Sequence, residues 1–235
     1  MNIPISKRLL CCAQMVTPGA AVADIGTDHG YLPIWLVRNG ICHLVHAGDL
    51  REKPLEKARE NAQRFGVAEK IDFRLSDGLT AFDPGEFDTV ICAGMGGDLI
   101  LHVLADAPWL ADERYTLILQ PQSSGQDLRH WLDEHNFYLT QERLVHEGGF
   151  FYSVMRAKFG HPMHLTPGQQ FLSPRLLEEN HPLLPRQMDR LIDSLQKTVS
   201  GILACRTTVD ERKLTYYQTA LQELREMRCQ HDDCK

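Results

Sequence analysis

Hydrophobic and polar positions follow one rhythm up to about residue 158 and another after it. In the first part, short apolar runs at 22–25, 44–49, 71–75, 87–93 and 115–119 are rich in Val, Ile, Leu and Phe. Gly, Asp or Pro closes each of them, which is the pattern of buried strands. Between them, residues 5–15, 32–38, 54–65, 98–104 and 127–135 repeat apolar side chains at three- and four-residue steps, as helices do. Ser6 is a plausible N-cap for the first of these, with Ile5, Leu9, Leu10, Ala13 and Met15 inward. Pro54 sits in a first helical turn, Gly66 closes that helix, and Asp98 opens another or caps it. Residues 138–145 and 150–157 alternate with period two across His146-Glu-Gly-Gly149 and predict an antiparallel pair. Five strands alternating with helices predict a doubly wound, largely parallel α/β sheet, with that hairpin near one edge.

The rhythm changes at Phe159-Gly160-His161-Pro162. Prolines 162, 167, 174, 182 and 185 punctuate a linker-like stretch with a short element at 171–177. Met188, Leu191, Ile192, Leu195, Val199, Ile202 and Leu203 then recur at helical spacing, and Leu214, Tyr217, Leu221 and Leu224 do so again after a break near Thr207-Thr208-Val209. Two such seams predict an antiparallel, coiled-coil-like helical hairpin, the alternative being one continuous helix. The chain is therefore expected to divide into residues 1–160 and residues 161–235.

Composition narrows the possibilities. A hydrophobic fraction of 43% and a charged fraction of 24% in 235 residues are those of an ordinary globular chain. No apolar run approaches the roughly 20 residues that cross a bilayer, and the N-terminus carries no signal-peptide pattern, so a cytoplasmic protein without membrane partners is expected. The seven cysteines are scattered, with Cys11 and Cys12 adjacent; Cys229-x-His231-x-x-Cys234 lacks a fourth ligand, so reduced thiols and no metal are expected. The net charge of −6 argues against indiscriminate nucleic-acid binding. It comes from residues 1–160, with 15 basic and 21 acidic side chains, whereas residues 161–235 balance at 10 and 10. Lys7, Arg8, Arg206, Arg212, Lys213, Arg225 and Arg228 are candidates for a basic stripe, or for solvated helix faces.

Chemistry concentrates where ligands bind in such sheets, at the carboxyl ends of parallel strands. Val22-Ala-Asp-Ile-Gly-Thr-Asp-His-Gly-Tyr-Leu-Pro33 runs from a strand through glycines into a helix, which lets backbone approach a ligand and offers free N–H groups. Its Asp-x-Gly-x-Asp-x-Gly order fits a dinucleotide fingerprint poorly and the acidic Gly-rich loop of class I methyltransferases better. Asp49 ends the second strand 23 residues after Gly26, near the spacing of an acid that accepts ribose hydroxyls. Asp77 is placed to accept from an adenine amino group with Gly78 and Leu79 beside the base, or is only a turn residue. A closing antiparallel strand also favours the methyltransferase version of the Rossmann-like fold over the nicotinamide one. Gly94-Met-Gly-Gly97 stands where amino-group methyltransferases carry Asn/Asp-Pro-Pro-aromatic. The absence of that motif turns the expectation from an exocyclic amine towards a ring nitrogen or an oxygen.

Ser6-Lys-Arg-Leu9, Asp24-Ile-Gly-Thr-Asp-His-Gly-Tyr-Leu-Pro33, Asp77-Gly-Leu79, Ala93-Gly-Met-Gly-Gly97 and Leu119-Gln-Pro121 together resemble the bacterial tRNA (adenine-22-N1)-methyltransferase family, TrmK. The resemblance spans roughly residues 5–158 in order, and the C-terminal part shares only the layout of that family's helical appendage. Gly30 in place of alanine and Gln122 in place of asparagine depart from the pattern. The resemblance implies methyl transfer from S-adenosylmethionine to adenine N1 of a tRNA substrate; a monomer or weak homodimer is expected. It points to Asp24, Gly26, Thr27, Asp28, Gly30, Asp49, Leu50, Asp77, Gly78, Leu79, Ala93, Gly94, Met95 and Gly96 for the cofactor. Asp28 and His29 are the candidates to hold the adenine N6 amino group or take its proton, with Tyr31 stacking or hydrogen-bonding nearby. Lys7, Arg8, Gln120, Pro121, Gln122, Arg206, Arg212 and Lys213 are the candidates for RNA. Two other readings remain open: a small-molecule methyltransferase, and an RNA-binding protein that keeps the fold without turnover.

Overall fold

The computed structural model describes residues 2–204 and 210–233. Seven strands form one sheet in the order β3-β2-β1-β4-β5-β7-β6. Strands β1 (Val22–Ile25), β2 (Val45–Asp49), β3 (Ile71–Leu75), β4 (Thr89–Met95) and β5 (Thr116–Pro121) are parallel; β6 (Phe137–Glu147) and β7 (Phe150–Phe159) form the hairpin. β7 lies antiparallel between β5 and β6. Helices α1 (Lys7–Met15), α2 (Tyr31–Arg38), α3 (Glu52–Arg64), α4 (Gly97–Ala105) and α5 (Gly125–Glu134) cover the two faces. The central strands are mostly apolar because both faces are covered, and β1, β2 and β5 are buried at every position, their polar residues included. This is the Rossmann-like architecture that the alternation predicts.

Element ends shift for local reasons. Ser6 caps α1, its hydroxyl accepting from Leu9 N at 3.3 Å. Cys11 and Cys12 share the buried face of α1 with Ala13 and Met15, and burial pushes the Cys12 thiol well above its ordinary pKa. Pro121 does not stop β5 but ends it, paired to Met95 after a register shift between Ala93 and Met95. At a strand terminus the missing proline N–H leaves no hole in the ladder. Gly96 rather than Asp98 caps α4, and Asp98 falls in its first turn.

Beyond the sheet, the expected short element is two helices, α6 (Pro167–Phe171) and α7 (Pro174–Glu178), each started by a hydroxyl cap and proline. α8 (Leu184–Leu203) and α9 (Glu211–Asp233) pack on each other through Leu184, Met188, Leu195, Val199, Ala220, Leu221 and Leu224. The Thr207-Thr208-Val209 break lies outside the described residues. A division after residue 160 meets a buried join. Leu144 of β6 belongs to the apolar cluster of these helices, and the Arg129–Glu142 pair receives Ser173 and Gln170 from them. No described helix is long and apolar enough to cross a membrane. Among the described residues no group of three His, Cys, Asp or Glu side chains is placed to hold a metal ion. Cys234 lies outside them.

Candidate active site

A cleft of about 420 Å³ opens at the carboxyl ends of β1, β2 and β4. Parallel pairing sets these ends side by side, Asp24 beside Ala47 on β2 and Ile91 on β4, so three loops converge on one volume. Asp24, Gly26, Thr27, Asp28, His29, Tyr31, Asp49, Leu50, Asp77, Gly78, Ala93, Gly94, Met95 and Arg8 all line it. Leu79 does not: it is buried facing a smaller adjoining cavity of about 170 Å³ that shares Asp77 and Gly78. Gly96 also lies off the cleft, as the cap of α4.

The first loop is held by its own acid. Asp49 is buried, its Oδ2 accepting from Asp28 N at 3.1 Å and its Oδ1 from Arg51 N at 3.0 Å. Each oxygen keeps a further lone pair beyond these bonds, and Asp49 lines the cleft. Asn61 of α3 donates to His29 O at 2.9 Å and fixes the other side of the loop. Gly30, a departure from the family pattern, has φ +71°, and a Cβ there would stand 2.9 Å from the Ala58 Cβ. α3 lies too close for alanine.

The floor of the cleft is short of partners. Asp24 is 3% exposed, and burial, with the Asp49 carboxylate adding to it, pushes its pKa up to about 7. The Thr27 hydroxyl offsets part of that shift, yet its buried Oγ1 meets no partner at hydrogen-bonding geometry. Buried polar atoms are nearly always paired, and this one lines the cleft. At the mouth, Asp28 and His29 have side chains 61% and 51% exposed, 3.7 Å apart, with the His29 and Tyr31 rings at 5.9 Å between centroids.

The second glycine loop is packed by protein. A Cβ on Gly94 would meet Arg8 Nη1 at 2.7 Å, and one on Gly97 would meet the Ser123 carbonyl oxygen at 2.6 Å. Gln120 has no exposed surface. Its Oε1 accepts from Arg8 Nη1 at 3.0 Å and from Gly94 N at 3.1 Å, and its Nε2 donates to Pro121 O. The structure therefore corrects the expectation of RNA contact at Gln120 and at the equally buried Pro121: both face inward and hold the loop. Gln122 is exposed, its N–H bonded to Met95 O. Lys7 is exposed at the start of α1. Arg212 and Lys213 are exposed at the start of α9, far in sequence from the cleft loops, and Arg206 lies outside the described residues.

Sequence reasoning missed Arg51, Ser76, Leu99 and Val103 in the lining, and Asn61 behind it. Asn61 carried a signal, a polar residue on the apolar stripe of Leu55, Ala58 and Ala62. Leu50 and Leu99, 63% and 49% exposed, form apolar lips.

A Gly-rich loop, an acid ending β2 and an antiparallel seventh strand inserted beside β5 define a class I methyltransferase. Consistently, a family described as a methyltransferase domain matches residues 5–155. The tRNA (adenine(22)-N(1))-methyltransferase of Bacillus subtilis strain 168 is 35% identical over 159 residues, 68% of this chain and 67% of that protein. The crystal structure of the B. subtilis M1A22 tRNA methyltransferase TrmK superposes with a TM-score of 0.86 at 29% identity, covering 97% of this chain and 100% of the other. A Streptococcus pneumoniae protein solved in complex with S-adenosyl-L-methionine gives 0.81 at 32% identity, over 95% and 99%. The chain belongs to the tRNA (adenine-22-N1)-methyltransferase family, TrmK.

Proposed function

We propose that this chain is an S-adenosylmethionine-dependent methyltransferase acting on N1 of adenine 22 in tRNA, a cytoplasmic enzyme working as a monomer or weak homodimer. The observation that carries it is the pairing, in one cleft, of an under-satisfied buried floor (Asp24, Thr27, Asp49) with an exposed polar mouth (Asp28, His29). The floor suits a polar, nucleoside-bearing ligand. Asp49 accepts ribose hydroxyls with its free lone pairs, Gly26 and Gly78 allow close backbone approach, and Asp77 accepts from the adenine amino group. The bound donor supplies an electrophilic sulfonium methyl. Adenine N1 has a lone pair in its neutral form, so the chain needs no base to create the nucleophile, and positioning supplies most of the acceleration. Asp28 or His29 holds the N6 amino group of the target and accepts the proton that the cationic methylated ring later sheds. N1 lies on the Watson–Crick edge, so the target must leave its pair or stack before it enters.

Incubation with labelled methyl donor and unmodified tRNA, followed by nucleoside analysis, tests the reading. Label in 1-methyladenosine is expected, and label in N6-methyladenosine or in no nucleoside contradicts it. Activity on small metabolites without RNA would favour the small-molecule alternative, for which no feature of the cleft speaks.

A further inference from the structure

The hairpin of β6 and β7 reaches past the sheet on the side of the cleft. Leu119 pairs with Met155 and β5 ends two residues on at Pro121, so residues 150–152 of β7 extend beyond it, by about 10 Å at strand rise. Gly148 and Gly149, both at positive φ, make the tight turn at the tip. Phe150 stands there 59% exposed, its ring 6.5 Å from that of Tyr152 on the same face. Phe151, on the opposite face, is clamped by the appendage. The guanidinium carbons of Arg186 and Arg190 on α8 lie 5.6 and 5.1 Å from its ring centroid, and Arg190 donates to Gly149 O at 3.2 Å. On the strand before the turn, Glu147 accepts from Lys7 N at 2.7 Å and lies 3.7 Å from Arg8, which itself lines the cleft. The tip is thus braced from α8 and from the cleft wall, and the aromatic it presents serves no core.

We propose that this tip is a stacking platform for an unpaired base of the RNA substrate, with Lys7, Arg186 and Arg190 taking neighbouring phosphates. The proposal rests on reading the cleft as an RNA methyltransferase site. A chain of net charge −6 that sets two arginines on the opposite face of the same hairpin tip that presents an exposed phenylalanine, beside a site whose target base must be unstacked, complements a polyanion with accessible bases. Stacking on Phe150 needs no particular base and gives affinity without adding salt dependence.

Binding of unmodified tRNA to the full chain over a range of salt, together with KM for tRNA, tests it. Phe150→Ala is expected to weaken tRNA binding and raise KM roughly tenfold, with donor affinity and salt slope as in the wild type. Phe150→Trp is expected to keep tRNA affinity, and its added emission to be quenched by tRNA. Arg186→Ala with Arg190→Ala is expected to flatten the slope of log K against log salt by about 1–2. Wild-type tRNA affinity in Phe150→Ala overturns the platform while 1-methyladenosine formation by the wild type leaves the enzymatic reading standing. A change of oligomeric state in Phe150→Ala with unchanged tRNA affinity also overturns it, in favour of a protein contact. A wild-type chain that neither binds nor methylates tRNA overturns both.

Discussion

Two of the buried carboxylates, Glu142 and Asp24, are treated in opposite ways. Glu142 on β6 has no exposed surface, and both of its oxygens accept hydrogen bonds from protein. Arg129 donates to both oxygens and Ser173 Oγ to one, while the remaining Arg129 N–H groups go to Gly125 O, Gln170 O and Ser153 Oγ. Asp24 on β1 is also buried, but among the described residues no cation pairs with it; burial and the Asp49 carboxylate raise its pKa, offset in part by the Thr27 hydroxyl, whose Oγ1 meets no partner at hydrogen-bonding geometry. The first arrangement is complete without a ligand and ties the C-terminal helices to the sheet. The second faces the cleft, where an entering ligand can reach it. Burial alone does not separate a structural acid from a functional one; the supply of partners does.

Breaking the complete site should have the largest effect. Arg129→Met leaves Glu142 buried and unpaired, so folding stability should fall by about 3–5 kcal/mol, read by denaturant unfolding. Adding Glu142→Leu should recover much of the loss. The same network implies that a fragment of residues 1–160, deprived of Ser173 and Gln170, is less stable than the full chain.

Asp24 should act in the opposite sense. Its pKa is about 7 folded against an ordinary 3.8, so folded protein keeps a proton that unfolded chain releases between those values. Stability contributed by the protonated group is therefore full below pH 4 and is lost as pH rises to about 7. Asp24→Asn removes that loss. Its advantage over wild type should be absent near pH 4 and grow to at most about 4 kcal/mol by pH 7 and above, as thermal unfolding against pH would show. A pH-independent difference would mean that Asp24 is not the titrating group.

Smaller effects follow at the cleft. Asp49→Ala should weaken S-adenosylmethionine binding by roughly 1.5–3 kcal/mol, the loss of charge-assisted hydrogen bonds; unchanged affinity by calorimetry would remove Asp49 from the donor site. Asp28→Ala and His29→Ala should lower turnover while donor affinity stays within about 1.4 kcal/mol. Loss of the donor instead would move Asp28 from the mouth to the floor.

The architecture was legible because strand and helix periods alternate cleanly through residue 159, and the cleft because Asp24, Gly26, Asp49 and Asp77 stand at strand ends where the topology converges. Three things were not. Insertion of β7 between β5 and β6 depends on pairing across distant sequence, which no local period records. Gln120 reads as a polar strand-end residue, but Arg8, 112 positions away, turns it inward. The closeness of the appendage to the sheet rests on Arg129 and Glu142, which look in sequence like ordinary charges on a helix and a strand.

The most direct test of the claim that the cleft floor is held open for the methyl donor is Thr27→Val. The exchange keeps shape and removes the orphaned hydroxyl. If Oγ1 waits for the donor, the ligand-free variant should be as stable as wild type or more so, while S-adenosylmethionine binds more weakly by roughly 1–2 kcal/mol. Unfolding and calorimetry on the same preparation would read both. A variant that is less stable without ligand but binds the donor as wild type does would show that Thr27 serves the fold, contradicting the account.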